Sequence, residues 1–247
     1  SSTGGTGYSW SGPLAYSNAT QNPTIASATA GMGGVYTVTV TNAAGCTATA
    51  MTTVVVNALP VPTATNTGPY CVGATIQLNS TGGGTYSWSG PGAYSNATQN
   101  PTRPTATTAM GGVYTVTVTS ATGCTATATT TVVVNALPIP TATNTGPYCV
   151  GATIALSSTG GTGYSWSGPL AYSNATQNPT IASATTGMGG VYTVTVTNAA
   201  GCTATATTTV VVNALPIPTA TNTGPYCVGA TIQLNATGGT GYSWSGP

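Results

Sequence analysis

The chain has 247 residues, and Arg103 is its only charged side chain because it contains no Asp, Glu, Lys or His. Without carboxylates or imidazoles only thiols, phenols and a possible terminus could titrate, no base lies beside a Ser or Thr nucleophile, and ligands for calcium or zinc are too few. One arginine also cannot neutralise the phosphates of a nucleic acid, so we expect no enzyme, no cofactor, no metal and no nucleic-acid partner.

A repeat of 78 residues organises the chain: Tyr-Ser-Trp-Ser-Gly-Pro recurs with its tryptophan at Trp10, Trp88, Trp166 and Trp244. Residues 1–56 and 157–212 differ only at Ala30 against Thr186 and at Met51 against Thr207. Such near identity is typical of a structural spacer or polymer and predicts an array of one unit. The predicted repeats are 1–56 (partial, without its first two strands), 57–134, 135–212, and 213–247 (partial, first strands only).

Within residues 57–134, polar and apolar positions alternate with a period of two and turn residues recur about every ten positions, which predicts a sandwich or barrel. Val, Thr and Gly dominate and no 3.6-residue period is present, so no helix is expected. In chain order the predicted elements are a strand at 61–65, a turn at 68–73, strands at 74–80 and 86–89, irregular edge strands within 93–109, a strand at 113–119, a turn at 121–123 and a strand at 124–134.

Membrane insertion is not expected from these residues. The longest apolar stretches, such as 54–56 and 58–62, are far shorter than the roughly 18 to 20 residues that span a bilayer.

The six cysteines fall into two phases of the repeat. One set follows Gly and the other follows Pro-Tyr. Regular, even use of cysteine in a small β-rich unit predicts disulfides and an oxidising location, outside the cell or at its surface. Buried free thiols are the alternative, because Cys is also a common core residue. A metal cluster is disfavoured, since no Cys-x-x-Cys pair occurs. The first set is Cys46, Cys124 and Cys202; the second is Cys71, Cys149 and Cys227.

A family resemblance rests on two segments of the repeat. Asn-Pro-Thr-Ile at 22–25, followed by Met-Gly-Gly-Val-Tyr-Thr-Val at 32–38, resembles the E to F region of immunoglobulin domains, whose motif is D-x-G-x-Y-x-C. The whole repeat more closely resembles the Ig-like or PKD-like units of giant bacterial surface adhesins and secreted proteins, with Tyr-Cys-Val-Gly at its front and Asn-Ala-Ala-Gly-Cys at its back. This implies an all-β fold of tandem immunoglobulin-like sandwiches, head to tail, with a 78-residue period.

The resemblance also assigns core residues. Trp88, twelve residues after Ile76, stands at the place of the core tryptophan, and the tyrosines of the Val-Tyr-Thr-Val segments stand at the tyrosine corner. Two departures are clear: Met32 replaces the Asp of the motif, and Ile76 and Val116 occupy the places of the buried cystine. The lack of acidic residues argues against calcium-dependent stiffening. The implied core residues are Trp10, Trp88, Trp166, Tyr36, Tyr114 and Tyr192.

The resemblance further implies a disulfide pattern. If Ile76 and Val116 face each other at mid-height, Cys71 lies five residues before that level and Cys124 eight residues after it. The two are then roughly 30 Å apart, whereas bonded Cα atoms lie within about 7 Å. An interdomain Cys71–Cys202 bond follows, with Cys71–Cys124 as the alternative in another register. The remaining cysteines, Cys46, Cys124, Cys149 and Cys227, would pair outside the chain's 247 residues or with other chains.

Five N-x-T sequons are candidates for glycosylation. The alternative is that Asn, Ser and Thr simply form turns. Three sequons share one phase of the repeat, at Asn18, Asn96 and Asn174, and the other two lie at Asn79 and Asn235.

Our leading hypothesis is a stiff extracellular filament, stalk or fibre whose partners are further copies of itself and covalent glycans. Copies would associate head to tail, laterally through edge strands that lack protective lysines, or by strand completion, in which residues 213–234 complete another copy's residues 1–56. The alternative is an adhesin module that recognises a glycan or surface through loops or through Tyr86, Trp88 and Tyr94. A flat ice-binding face of Thr-x-Thr rows, at 37–41 and 203–207, is a more distant alternative to ordinary strand threonines.

Overall fold

The structure is a computed structural model that describes residues 5–246. Residues 1–4 and 247, which belong to the two predicted partial repeats, lie outside the described residues. The chain divides into two compact units, Ser1–Val134 and Asn135–Pro247. The fold is all β, and immunoglobulin-like sandwiches form at residues 57–134 and 135–212. In the described part of the chain the only helices are five single 3₁₀ turns of three residues each. Among these residues there is no apolar helix of the length that a bilayer crossing takes.

The sandwich at 57–134 consists of two antiparallel sheets. Its strand order is that of an immunoglobulin-like domain, with strands A, B and E in one sheet and C′, C, F and G in the other. The smaller sheet has the order Thr102–Arg103, Ile76–Thr81, Thr63–Asn66, and the larger has the order Thr125–Val132, Gly112–Thr119, Thr85–Gly90, Tyr94–Asn96. Tyr70–Cys71 and Val134–Asn135 form short additional strands, and Thr108–Met110 is a 3₁₀ turn.

Buried apolar side chains and outward-facing polar side chains alternate along the strands, which explains how the two sheets pack. In Gly112–Thr119, the side chains of Tyr114, Val116 and Val118 are fully buried, while the threonines between them face outward. β-Branched Val and Thr suit both faces of such a strand. Opposite them, Ile76 and Leu78 of the smaller sheet are also fully buried. Burying each large side chain of this kind stabilises the fold by about 1.5–3 kcal/mol.

The sandwich at 135–212 repeats this arrangement in the second unit. Trp166 takes the place of Trp88, and Tyr148–Cys149 pairs in parallel with Val212–Asn213. The strands of its two main sheets are Thr141–Asn144, Ile154–Thr159 and Thr180–Ile181 in one, and Tyr172–Asn174, Gly163–Gly168, Gly190–Thr197 and Thr203–Val210 in the other. Its 3₁₀ turns are Pro169–Ala171 and Thr186–Met188.

Each unit also carries half of a sandwich. Residues 5–56 form only the larger sheet, with strand order Tyr16–Asn18, Gly7–Gly12, Gly34–Thr41, Thr47–Val54 and 3₁₀ turns at Pro13–Ala15 and Ala30–Met32. Residues 213–246 form only an antiparallel pair, Thr219–Asn222 with Leu234–Thr237.

Most strand boundaries differ by one or two residues from the sequence prediction, and three differences have a local structural reason or change the pairing. The first strand begins at Thr63, not at residue 61, and Pro62 immediately before it has no N–H to donate to a ladder. The predicted turn at 68–73 contains the strand Tyr70–Cys71. The predicted last strand is interrupted at Val133, whose carbonyl oxygen accepts a hydrogen bond from Tyr70 N at 2.9 Å. Beyond Val132 the chain no longer pairs with the strand Gly112–Thr119, and Val134–Asn135 pairs with Tyr70–Cys71 instead.

Candidate functional site

The cysteines are of two kinds. Cys71 and Cys202 are disulfide-bonded, whereas Cys46, Cys124, Cys149 and Cys227 are free thiols. In the described part of the chain no three His, Cys, Asp or Glu side chains form a cluster that could hold a metal ion.

The two cysteines of the 57–134 sandwich lie at opposite ends of its last strand. Cys71 follows Tyr70, which is hydrogen-bonded to Val133 beyond the end of Thr125–Val132. Cys124 precedes the start of that strand, and its Sγ lies 3.8 Å from Asn57 O. Eight strand residues span about 26 Å, so a Cys71–Cys124 bond is sterically impossible within one sandwich.

An Asx turn positions the cysteine of the Asn-Ala-Ala-Gly-Cys segment. Asn198 Oδ1 accepts hydrogen bonds from Ala200 N and Cys202 N, both at 3.0 Å, and Asn198 Nδ2 donates to Ala136 O at 2.9 Å. Cys202 is thereby held in a defined, buried position beside the first residues of its own sandwich. In the 57–134 sandwich Ser120 replaces the Asn, and its Oγ accepts from Cys124 N at 3.2 Å.

Hydrogen bonds of a tyrosine hydroxyl hold the Pro-Tyr-Cys segment in place. The Tyr70 hydroxyl accepts hydrogen bonds from Thr67 N and Gln77 N and donates to Gln77 O, at 3.0, 3.1 and 3.0 Å. Tyr148 makes the equivalent bonds in the next sandwich. These tyrosines have no predicted role in the sequence, although their place beside Cys in every Pro-Tyr-Cys segment is a signal for one.

The aromatic residues at the centre of each sandwich are structural. The Tyr114 hydroxyl donates to Met110 O at 2.9 Å, which is the tyrosine-corner bond, and its ring meets Tyr94 edge-on with 5.5 Å between centroids. Trp88 and Trp166 are fully buried, and their Nε1 atoms donate to the carbonyl oxygens of Gln99 and Gln177. Buried tryptophans cannot form an exposed platform for a glycan. The equivalent corner tyrosines, Tyr36 and Tyr192, bond to Met32 O and Met188 O.

Arg103, the single charge, is tied into the 57–134 sandwich. Its Nη1 donates to Pro91 O at 2.9 Å and to the Tyr114 hydroxyl at 2.8 Å, and the guanidinium carbon lies 5.0 Å from the Tyr94 ring centroid. Gly92, at φ +69°, leaves room for it, since a Cβ there would be 3.3 Å from Arg103 Nη2.

The other repeats replace this pair of residues together. Where Gly92 and Arg103 stand, residues 1–56 have Leu14 with Ile25, and residues 135–212 have Leu170 with Ile181. The arginine thus occurs together with the glycine, and isoleucine occurs together with leucine; Leu14 and Leu170 are both 71% exposed.

Replacing Arg103 by Ile is expected to lower the free energy of unfolding by about 1–2 kcal/mol, because it removes two charge-assisted hydrogen bonds and a cation–π contact. Urea unfolding measures the change. The matched control is Arg103→Ile combined with Gly92→Leu, which recreates the residues at 170 and 181 and should recover part of the loss. Equal stability of wild type and Arg103→Ile would contradict this role for Arg103.

The sequons occupy two structural settings. At Asn96, Oδ1 accepts hydrogen bonds from Thr98 N at 2.8 Å and Thr98 Oγ1 at 2.7 Å, which closes an exposed turn at the end of a three-residue edge strand. Asn18 and Asn174 make the same turn with Thr20 and Thr176. Asn79, by contrast, lies inside the strand Ile76–Thr81 and pairs with Thr65, and Asn235 lies inside Leu234–Thr237.

Hydroxyl groups cover the outer face of the larger sheet. In the 57–134 sandwich, Thr115 pairs with Thr129 and Thr117 pairs with Thr127, and Ser87 lies opposite Thr117 on the other side. The face is polar but uncharged, so it can exchange hydrogen bonds with water, sugars or another such face without electrostatic repulsion.

Stability is expected to be constant from pH 3 to 8 and to fall above about pH 10. Burial raises the pKa of Tyr94, Tyr172 and Tyr192, so the folded state retains protons that the unfolded chain releases near its ordinary pKa. Burial acts in the same direction on Tyr148, but hydrogen bonds involving Thr145 and Ala155 outweigh it and lower the pKa of that residue. Urea midpoints measured across pH check this, and a transition between pH 3 and 8 would contradict it.

Comparison with known proteins finds distant similarity to solved structures only. No protein-family model and no curated protein matches the chain. Among solved structures, three N-terminal domains of the bacteriophage RB49 highly immunogenic outer capsid protein are 18% identical, with 85% of this chain and 88% of that chain covered and a TM-score of 0.38. A structure concerning host cell surface retention of a 1.5-MDa bacterial ice-binding adhesin is 17% identical (85% and 86% covered, TM-score 0.33). Sidekick-1 immunoglobulin domains 1–5 are 14% identical (88% and 55% covered, TM-score 0.33).

Proposed function

We propose that this chain is part of a stiff extracellular filament or stalk in which immunoglobulin-like sandwiches are joined head to tail by disulfides. The observation that carries the proposal is the position of the two oxidised cysteines. Cys71 lies beyond the end of the last strand of its sandwich, and Cys202 lies in the turn before the last strand of the next one. A Cys71–Cys202 bond would join the ends of successive sandwiches and leave their cores unchanged.

An oxidising location supports this role. Disulfides form and persist outside the cell or at its surface and are rare in reducing compartments. The oxidised state of Cys71 and Cys202 therefore fits a protein that works outside the cytosol.

Stiffness follows from the proposed Cys71–Cys202 disulfide, which we call the staple, and from the segment that connects the two sandwiches. A disulfide of this kind contributes about 2–4 kcal/mol, mainly by restricting the unfolded chain, and it also limits hinge motion. The segment at 135–140, Asn-Ala-Leu-Pro-Ile-Pro, contains two prolines and neither Gly nor Ser. Prolines restrict the backbone, whereas flexible linkers are rich in Gly and Ser.

Glycosylation would hydrate a surface that has almost no charge. The turns at Asn18, Asn96 and Asn174 present exposed Asn-Ala-Thr segments outside any strand interior. In native material we expect glycans at these three sites and none at Asn79, whose strand neighbours restrict access to it. Intact mass above 23.9 kDa and site-resolved peptide mapping check this. A glycan at Asn79 with unmodified Asn96 would contradict it.

Peptide mapping under non-reducing conditions tests the staple. We expect one linked peptide pair that contains Cys71 and Cys202 and that separates on reduction. Cys71 linked to Cys124, or Cys71 and Cys202 both recovered as free thiols from oxidised material, would overturn the proposal.

A further inference from the structure

The last strand of each complete sandwich lies at an open edge of the larger sheet. In the 57–134 sandwich this strand, Thr125–Val132, pairs along its whole length with Gly112–Thr119. In the described part of the chain no strand pairs with its other side. We call it the edge strand; the edge strand of the 135–212 sandwich is Thr203–Val210.

Hydrogen bonds show which backbone groups of the edge strand point outward. At the turn before the strand, Ser120 N donates to Cys124 O at 2.8 Å, so even-numbered residues face Gly112–Thr119. Farther along, Thr131 O points the other way, because it accepts from Asn66 Nδ2 at 2.9 Å. In an antiparallel ladder the groups of every second residue point to the same side. The outward N–H and C=O groups that no described residue bonds are those of Thr125, Thr127 and Thr129.

The other sheet edges of this sandwich are shorter, and two of them adjoin proline. Proline and charge are devices that discourage pairing at an edge. Thr102–Arg103 has two residues, lies between two prolines and carries the only charge of the chain. Thr63–Asn66 has four residues and follows a proline, and Tyr94–Asn96 has three and ends in the exposed turn at Asn96. The edge strand has eight residues, no proline and no charge.

The free part of the edge strand reads the same in both directions. Residues 125–129 are Thr-Ala-Thr-Ala-Thr, as are residues 203–207. In an antiparallel pair centred on Thr127, each Thr therefore faces a Thr and each Ala faces an Ala. The threonines are exposed and the alanines are half-buried, so no bulky side chain obstructs the approach. This edge is complementary to itself under a two-fold rotation, as the contact surface of a symmetric dimer has to be.

We propose that edge strands of two copies of this chain pair antiparallel, with Thr127 of one copy opposite Thr127 of the other. Each of the three outward-facing threonines then exchanges two backbone hydrogen bonds with a threonine of the second copy. The two four-stranded sheets become one continuous sheet, and no outward N–H or C=O group of residues 125–129 is left unpaired.

The consequence is lateral association of stalks. In strand addition, main-chain hydrogen bonds supply the affinity and the side chains at the edge supply the specificity. Threonines opposite each other add favourable cross-strand contacts. The inference goes beyond the proposed function, because a head-to-tail stalk needs no lateral partner. It is also independent of the staple, since neither Cys71 nor Cys202 lies in an edge strand.

Sedimentation velocity of the 247-residue chain over a wide range of concentrations tests the pairing. The free thiols are first alkylated, so that no intermolecular disulfide contributes. We expect the wild type to associate as its concentration rises. Lysine at the centre of the edge should weaken association by about tenfold or more, because two like charges then meet in each joint. The substitutions, combined in one chain because Thr47–Val54 is an equivalent strand, are Thr49→Lys, Thr127→Lys and Thr205→Lys.

The matched control carries the same added charge on the neighbouring strand. Thr117 pairs with Thr127 and lies on the same outer face, but it is one strand farther from the joint. Two such positions are about 14 Å apart across the joint, beyond the screening length of about 8–10 Å. This chain should associate like the wild type. Its substitutions are Thr39→Lys, Thr117→Lys and Thr195→Lys.

Amide exchange locates the joint. In the associated wild type, exchange at residues 125–129 should become slower as the concentration rises, whereas exchange in Tyr94–Asn96, at the opposite edge of the same sheet, should stay unchanged. Slower exchange at Tyr94–Asn96 with unchanged exchange at 125–129 would contradict the proposed joint.

Three results of the sedimentation experiment would overturn the inference. A wild type that stays monomeric at its highest soluble concentration would exclude lateral pairing and leave the stapled stalk intact. Edge lysines that leave association unchanged would place the contact elsewhere on the chain. An equal loss in both lysine variants would assign the effect to the outer face or to net charge, and not to the edge.

Discussion

Replacing Trp88 by Ala is expected to lower the free energy of unfolding of the 57–134 sandwich by about 3–5 kcal/mol. Trp88 is fully buried between the sheets, packs in the same core as Ile76 and Val116, and donates to Gln99 O. Its removal leaves a cavity and an unpartnered carbonyl. Amide exchange should accelerate strongly in Gly112–Thr119 and stay unchanged in Gly190–Thr197. Peptides that extend into 120–123 identify the first of these strands by mass. Peptides that extend to Thr186 or Thr207 separate Gly190–Thr197 from the identical strand Gly34–Thr41, which has Ala30 and Met51 at those places.

Trp244→Ala is the matched control for this prediction. Trp244 has the same phase in the repeat, but it is 50% exposed and no strand forms around it. Its replacement should change stability by no more than about 0.5 kcal/mol. Comparable losses for both variants would mean that position in the repeat, and not burial, determines the contribution of the tryptophan.

Replacing Cys202 by Ser is expected to cost about 2–5 kcal/mol in oxidised material, because it would open the covalent loop that the proposed Cys71–Cys202 bond closes. Cys71→Ser should cost the same, and the double variant should cost no more than either single variant if the two residues form one bond. Denaturant unfolding in the presence and absence of reductant measures these differences.

Cys149→Ser is the control for the staple. Cys149 is an exposed free thiol in the same phase of the repeat as Cys71, so its replacement should leave the monomer's stability unchanged. Additive losses for Cys71→Ser and Cys202→Ser would contradict a bond between them.

The sequence was sufficient to predict the sandwich because the relevant signals are local. Alternation at 113–119 indicates which face of the strand is buried, and the turn residues fix where strands end. The resemblance implied an all-β fold of immunoglobulin-like sandwiches, and the observed sheets have that fold.

Contacts between residues distant in sequence could not be predicted in the same way. Asn66 binds Thr130, 64 residues away, and Tyr70 adds a short strand beside Val133. Neither contact leaves a periodic pattern, because each depends on two elements that meet only after folding. The pairing of Arg103 with Gly92 also depends on a three-dimensional fit, although the joint change to Ile and Leu in other repeats is visible in the sequence.

The sequence predicts the positions of the candidate sites better than it predicts the oxidation of the cysteines or the structural setting of the sequons. The phases of the cysteines follow from the repeat, whereas the choice of Cys71 and Cys202 as partners came from the resemblance, because spacing alone does not say which cysteines meet. All five sequons look alike as sequence. The structure separates the three at turns from the two within strands.

Small-angle X-ray scattering of the oxidised chain and of its Cys202→Ser variant, at concentrations below any association, tests most directly whether a disulfide stiffens this array. A stapled chain predicts a narrow distribution of sizes for the oxidised protein, and a broader one for the variant and for the reduced protein. Superimposable scattering profiles for the oxidised wild type and Cys202→Ser would contradict the staple as the source of stiffness.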